Sequence, residues 1–327
     1  MAAKTVLVTG GAGYIGSHAC KALANAGYEP VVYDNLYRGH REFVKWGPFE
    51  KGDIVNRKRL DAVIAHHKPS AVMHFAALAI VSESVETPLP YYDTNVGGTA
   101  TVVTAACSAG IKKFIFSGTC AVYGIPNVTP IKESAILAPI NAYGRSKLMA
   151  ENVLATASTA HNLSNVTLRY FNAAGADPDG EIGERHDPET HIIPNVLKVA
   201  AGKSSTVVLN GDDYPTPDGT CIRDYVHVTD IANAHVKALQ YLDENPGSHV
   251  FNLGTGDGFS VRQVIETARK VTKMDIPISI GPRREGDPAI LVANASRILE
   301  ACDWAPEKPS LEVQISDAWT WHQKNGF

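Results

Sequence analysis

Residues 4–35, KTVLVTGGAGYIGSHACKALANAGYEPVVYDN, carry the reading that decides the fold. A short apolar run, Thr5 to Thr9, leads into Gly10, Gly13 and Gly16. Apolar spacing near three to four follows from Tyr14 to Ala26, and a second apolar run, Pro30 to Tyr33, ends at Asp34. The spacing predicts strand, glycine turn, helix and strand. Glycines at such a turn let the backbone approach a pyrophosphate, whose charge then meets the N–H groups and positive dipole end of the helix. An acid at the tip of the second strand accepts hydrogen bonds from an adenosine ribose and repels a 2′-phosphate, so the pattern predicts an NAD site rather than an NADP site. Three glycines among 27 would be a weak signal alone; the strand, helix and acid around them make it specific.

Outward from this unit, apolar runs at Ala71 to Phe75, Lys113 to Ser117 and Val166 to Tyr170 predict further strands. Arg57 to His66, Thr94 to Ala109 and Gly144 to Ala157 carry helical spacing between them. Strands alternating with helices predict an α/β fold, a Rossmann-type doubly wound parallel sheet covered on both faces. After Phe171 the texture changes: residues 173–221 are rich in Gly, Pro, Asp and Thr around one helix near Ile193 to Ala201. The expected division is an NAD-binding domain over 1–172, to which the chain returns at about 222–243, and a smaller, discontinuous α/β substrate domain over 173–327.

Composition narrows the function classes. The chain has 327 residues, 44% hydrophobic and 20% charged, with a net charge of −4 and no basic tract, which argues against nucleic acid as a partner. Cys20, Cys107, Cys120, Cys221 and Cys302 are scattered and odd in number, so neither a disulfide framework nor a cysteine metal site is expected. The longest apolar run, Ala71 to Val81, is too short to cross a bilayer, and the apolar start breaks into glycines after five residues. These features predict a cytoplasmic enzyme without membrane contact.

The glycines run GxxGxxG after Thr9, a variant that resembles the short-chain dehydrogenase superfamily. That resemblance implies a Tyr and a Lys four residues apart, which NAYGRSKLMAEN supplies as Tyr143 and Lys147. Residues at i and i+4 share a helix face, so phenol and ammonium can address one ligand. A nearby positive charge favours phenolate and is expected to let Tyr143 act as a base far below its free pKa of ~10. FIFSGTCAVYG places Ser117 and Thr119 at the end of the preceding strand, Thr119 for the substrate oxygen and Ser117 for cofactor or substrate support. Dehydratases of the superfamily carry acids directly after that hydroxyl; here Cys120 and Ala121 follow, which leaves hydride transfer out and back.

TGGAGYIGSH, HFAA, ESVETPLPYYDTNVGGT, TCAVYG, YGRSKLMAE, RYFNAAGADPDGEIGE, DYPTPDGTCIRDYVHV, FNLGTG and PRREGDPA follow one another as in the UDP-glucose 4-epimerases, which the whole chain resembles. The resemblance implies UDP-glucose and UDP-galactose as substrates, a tightly held NAD, and a homodimer formed through helices around 94–109 and 144–157. It implies cofactor contacts from Gly10, Gly13, Tyr14, Ile15, Gly16, Asp34, Asn35, Asp53, Ile54, Phe75, Ala76, Asn95, Ser117, Tyr143, Lys147 and Tyr170. On the substrate side it implies Asn172, Arg223 and Arg284 for the diphosphate, Asp287 for its ribose, and Thr119, His191, Ile192, Val208, Asn210, Val261 and Leu291 around the rest. The alternative for the two arginines is pairing with their neighbours Asp224 and Glu285. Ala79 stands where many relatives carry Lys, His191 where others use Asn, and Leu291 at the position that gates the sugar pocket. Glu184, His186, Asp187 and His191 fit no familiar metal spacing and are expected to form a solvated loop, with no metal. Competing readings are a 4-epimerase of UDP-xylose/UDP-arabinose or of UDP-N-acetylhexosamines, a sugar-nucleotide dehydratase or decarboxylase, and a non-catalytic NAD-sensing Rossmann protein.

Overall fold

A computed structural model describes residues 4–284 and 286–327. The first half alternates β1 (Thr5–Thr9), α1 (Tyr14–Asn25), β2 (Glu29–Asp34), β3 (Phe49–Lys51), α2 (Arg57–His67), β4 (Ala71–His74), α3 (Val81–Glu86) and α4 (Leu89–Tyr91). A π-helical stretch, Tyr92–Gly98, leads into α5 (Thr99–Ser108), followed by β5 (Lys113–Ser117), α6 (Ala142–His161) and β6 (Ser164–Tyr170). Side chains alternate across each strand, so Val6 and Val8 join the core under α1 while Leu7 joins the core under α2, α5 and α6. Strands buried on both faces need apolar residues at every position, which is why the runs were legible.

The second half contributes β7 (Asn172–Ala174), α7 (Ile192–Ala200), β8 (Val207–Asn210), β9 (Ile222–Arg223), β10 (Tyr225–His227), α8 (Val228–Tyr241) and β11 (Ser248–Leu253). Then come β12 (Phe259–Ser260), α9 (Val261–Thr272), β13 (Ile278–Gly281), β14 (Ile290–Leu291), α10 (Ser296–Cys302) and α11 (Leu311–Asn325). The large sheet has seven strands in the order β3-β2-β1-β4-β5-β6-β11, all parallel. Its carboxyl edge aligns Thr9 with Tyr33 on one side and His74 on the other, and Ser117 with Leu168. Ligands of doubly wound sheets sit outside that edge.

Two strands of the large sheet escaped the sequence reading. β3 reads FEK, too short and charged to show an apolar run, and β11 reads SHVFNL, apolar only in its second half. Because β11 pairs with β6, the stretch returning to the large sheet reaches Leu253 rather than residue 243. A separate core lies among α7, α9, α11 and β8, built from Val196, Leu197, Leu209, Ile265 and Ile315. Three small sheets, β7–β10, β12–β9–β14 and β8–β13, carry the rest.

Candidate active site

The glycine turn divides its labour. Gly10 has φ +72°, and a Cβ there would lie 2.5 Å from the Ala76 nitrogen; one on Gly16 would lie 2.2 Å from the Gly10 oxygen. These two permit the strand, turn and helix to pack. A Cβ on Gly13 would meet nothing nearer than 3.4 Å. Gly13 is also the N-cap of α1 and receives no side-chain cap, so the N–H groups at Tyr14, Ile15 and Gly16 open the helix without an acceptor from a capping side chain. Asp34 ends β2 with its carboxylate accepting from Ala12 N (3.1 Å) and Leu36 N (2.8 Å). Burial raises its pKa and those two donors oppose the rise. Asn35 donates to the Asp53 carboxylate at 2.8 Å, and Ile54 is buried beside it. An uncapped helix start, an open glycine and a strand-end acid fit NAD. Tyr14 leaves only its backbone for that role, since its hydroxyl donates to the Gly175 carbonyl at 2.7 Å.

Asn141 caps α6 by accepting from Gly144 N at 2.8 Å, and Tyr143 and Lys147 follow one turn apart. Lys147 is buried, donates to the Ser117 carbonyl at 2.9 Å and lies 4.8 Å over the Phe116 ring. Burial lowers its pKa to about 8 against the raising influence of Glu151. Burial pushes the Tyr143 phenol up to about 12, the Thr119 hydroxyl pulling the other way. The expected low phenol pKa is therefore not a property of the protein alone, in which burial outweighs Thr119 and Lys147 directs its hydrogen bond to Ser117. Thr119 Oγ1 accepts from Ala121 N at 3.1 Å, and the Ser117 and Tyr170 hydroxyls are hydrogen-bonded to each other. Phe75 packs against His235 with ring centroids 4.6 Å apart.

Asn95 is tied to the loop after β4 and to α6. Its amide accepts from Leu78 N (2.8 Å) and donates to the Leu78 carbonyl and to Ser146 Oγ (both 3.0 Å), while Ser146 donates to the Tyr143 carbonyl at 2.8 Å. Ala79, exposed, follows that tethered loop. Sequence reasoning missed the layer behind Lys147. Arg169 pairs with Glu151 through two bonds of 3.0 and 2.6 Å and donates to the Tyr123 hydroxyl at 3.0 Å. The available signal was an arginine inside the apolar strand VTLRY, where a charge needs a partner.

On the substrate side, β9 places Arg223 between Phe259 of β12 and Leu291 of β14. Arg223 donates to Asp287 at 2.5 Å and to the Ile222 carbonyl at 2.8 Å. The alternative pairing of Arg223 with Asp224 is overturned. Asp224 is fully buried and its carboxylate accepts from Thr255 N, Thr255 Oγ1, Gly256 N and Ala293 N at 2.7–3.1 Å. Asn172 N donates to the Asp224 carbonyl at 3.0 Å, tying β7 to the same point. Arg284 is exposed, its guanidinium 3.2 and 3.3 Å from the side-chain amide of Asn210. Its alternative partner, Glu285, lies outside the described residues. Val208 is half exposed on β8, and Val261 and Ile192 open α9 and α7.

The loop before α7 departs from expectation. It is a charged cluster buried at Glu184 and open at His191, formed by Glu184, His186, Glu189 and His191, with Glu189 in the place expected for Asp187. Burial lowers the pKa of the half-exposed His191, but the Glu184 carboxylate beside it outweighs that and raises it. The cluster borders the cofactor floor, the His186 ring meeting Tyr14 edge-on at 6.2 Å.

Residues 6–254 match the NAD dependent epimerase/dehydratase family. The chain is 51% identical over 325 residues to a UDP-glucose 4-epimerase of Rhizobium leguminosarum bv. trifolii, covering 99% of each. It superimposes with a TM-score of 0.95 on the UDP-glucose 4-epimerase of Brucella ovis in complex with NAD, at 49% identity over 97% of this chain and 98% of that one. The Stenotrophomonas maltophila UDP-glucose 4-epimerase with bound NAD and formylated UDP-arabinopyranose gives the same TM-score, 0.95, at 41% identity over 98% of each.

Proposed function

This chain belongs to the UDP-glucose 4-epimerases of the NAD dependent epimerase/dehydratase family, and we propose that it interconverts UDP-glucose and UDP-galactose by inverting carbon 4 through a transient 4-keto sugar. One observation carries the reading. Tyr143 and Lys147 stand one helical turn apart against Ser117 and Thr119 beside the glycine cradle, with Cys120 and Ala121 where an elimination would need acids.

NAD would be held by Gly13, the N–H groups opening α1 and Asp34, and in its oxidised form would supply a hydride acceptor and a positive charge. Tyr143 takes the proton from the sugar 4-hydroxyl as the hydride leaves carbon 4, and Thr119 guides the oxygen. Lys147, held by the Ser117 carbonyl, keeps an ammonium near the phenolate. Arg223 and Arg284 hold the diphosphate while the hexose swings to present its other face. Tyr143 returns the proton when the hydride comes back, so configuration inverts without net oxidation.

Tyr143→Phe is expected to lower kcat by about 10²–10⁴-fold with NAD still bound after purification. Turnover at the wild-type rate in that variant overturns the assignment. A panel of UDP-hexoses, UDP-pentoses and UDP-N-acetylhexosamines defines the sugar range; the pentose reading has support from the formylated UDP-arabinopyranose in the Stenotrophomonas enzyme.

The family resemblance also supports a homodimer. Apolar side chains at Val81, Val85, Leu89 and Met149 are exposed on α3, α4 and α6. Such a patch is suited to a second copy. Light scattering of the purified chain is expected to give twice the protomer mass, and a monomer there removes the dimer. The five cysteines are free, in keeping with a reducing cytoplasm, and among the described residues no helix is long and apolar enough to cross a membrane.

A further inference from the structure

Two groups of ligating side chains lie along the segment between β7 and α7, and their centres differ. Asp177, Asp179 and Glu181 surround the Lys21 ammonium at 2.6–2.8 Å, so a cation of the chain already occupies that group. Glu184, His186, Glu189 and His191 also converge, with one ligand atom from each within 4.8 Å of all the others, but no lysine or arginine enters.

Three of the four histidine–carboxylate distances in the second group match the spacing of ligands around one ion. His186 Nδ1 lies 3.3 Å from Glu184 Oε1 and 3.6 Å from Glu189 Oε2, and His191 Nδ1 lies 3.4 Å from Glu189 Oε1, while His191 Nδ1 and Glu184 Oε1 approach more closely, to 2.5 Å. Metal bonds of ~2.0–2.1 Å in a tetrahedron set ligand atoms roughly 3.3 Å apart. Imidazolium–carboxylate pairs would instead aim an N–H at an oxygen. Glu184 is 4% exposed, yet its Oε1 has no aligned donor although His191 Nδ1 is 2.5 Å away, and His186 Nδ1 has no aligned partner either. Buried polar atoms without partners are costly, and one shared ion would satisfy both.

We infer that Glu184, His186, Glu189 and His191 form a divalent transition-metal site, best suited to Zn²⁺. Two imidazole nitrogens and two carboxylate oxygens are its usual donors, and four protein ligands give the closed shell of a structural site. The ion would pin the segment ahead of α7, which His191 N-caps, to α1 through the Tyr14–His186 contact. Coordination through Nδ1 fixes the His191 proton on Nε2 and leaves that nitrogen a donor. The site stands apart from hydride chemistry, so its test does not depend on the epimerase reading.

The purified full chain, stripped with a chelator and dialysed, is titrated with Zn²⁺ by calorimetry and with Co²⁺ by visible absorption. One ion per chain, a tetrahedral Co²⁺ band and a Zn²⁺-dependent rise in Tm are expected. Glu184→Gln and His186→Gln, each checked for folding by circular dichroism, are expected to weaken binding by on the order of 100-fold and to lose the band. Asp179→Asn with Glu181→Gln should leave binding unchanged. No uptake at excess Zn²⁺, or equal uptake by the wild type and the two ligand variants, overturns the site.

Discussion

The cofactor half and the substrate half of this molecule are built by opposite means. In the first, Gly10, Gly13, Gly16 and Asp34 fall within one strand–helix–strand unit, and Ser117 and Tyr170 end neighbouring strands of one continuous sheet. In the second, the contacts that shape the site join distant segments: Arg223 to Asp287, and Asp224 to Thr255, Gly256 and Ala293. The first half should therefore fail locally and completely when its turn is spoiled, whereas the second should loosen as a unit when one long-range tie is cut.

Gly16→Ala presses hardest on the first side of that contrast. The added carbon would lie 2.2 Å from the Gly10 oxygen and 2.9 Å from the Gly11 Cα, both backbone, so no rotamer can relieve it. A loss of about 3 kcal/mol or more is expected, together with loss of NAD. Chemical unfolding and the absorbance of the purified protein measure both, and retention of NAD with wild-type stability would show that the turn tolerates what its geometry forbids.

Asp224→Asn tests the other side. Replacing one buried carboxylate oxygen by NH2 leaves either the Thr255 donors or the pair from Gly256 and Ala293 without an acceptor. About 2–3 kcal/mol should be lost. β9 carries Arg223 and Leu291 stands beside it, so KM for the UDP-sugar should rise while NAD stays bound. A variant that loses NAD but binds substrate normally would reverse the division drawn here.

That division also explains what the sequence let one read. Thr5–Thr9 and Lys113–Ser117 coincide with their strands because parallel strands buried on both faces require unbroken apolar runs. Tyr143 and Lys147 were picked out by the family resemblance, and helical spacing explains why they share one face of α6. Glu184 was misjudged because GERHDPETH looks polar enough to be solvated, and the structure buries its carboxylate. Asp224 looked like the natural partner of Arg223, its neighbour in the chain. Adjacent residues of a strand point to opposite faces, however, and the true partner, Asp287, is in another segment.

The smallest expected effect concerns Lys147, the one cation that the cofactor half buries beside its chemistry. Its pKa is lowered from 10.5 to about 8, chiefly by burial, so below pH 8 the native state bears the cost of a desolvated ammonium that the unfolded chain does not. Between about 8 and 10.5 the unfolded chain holds the proton more often than the native one, and native stability therefore rises with pH through that window. Lys147→Met keeps the length of the side chain and removes the titration. The stability of the wild type relative to this variant should climb by roughly 1–3 kcal/mol from pH 8 to 10.5, as measured by urea unfolding at each pH. A constant difference across the window would mean that the Glu151–Arg169 pair behind the lysine holds its charge as firmly as water does. The helix α6 would then owe its ammonium to that long-range tie.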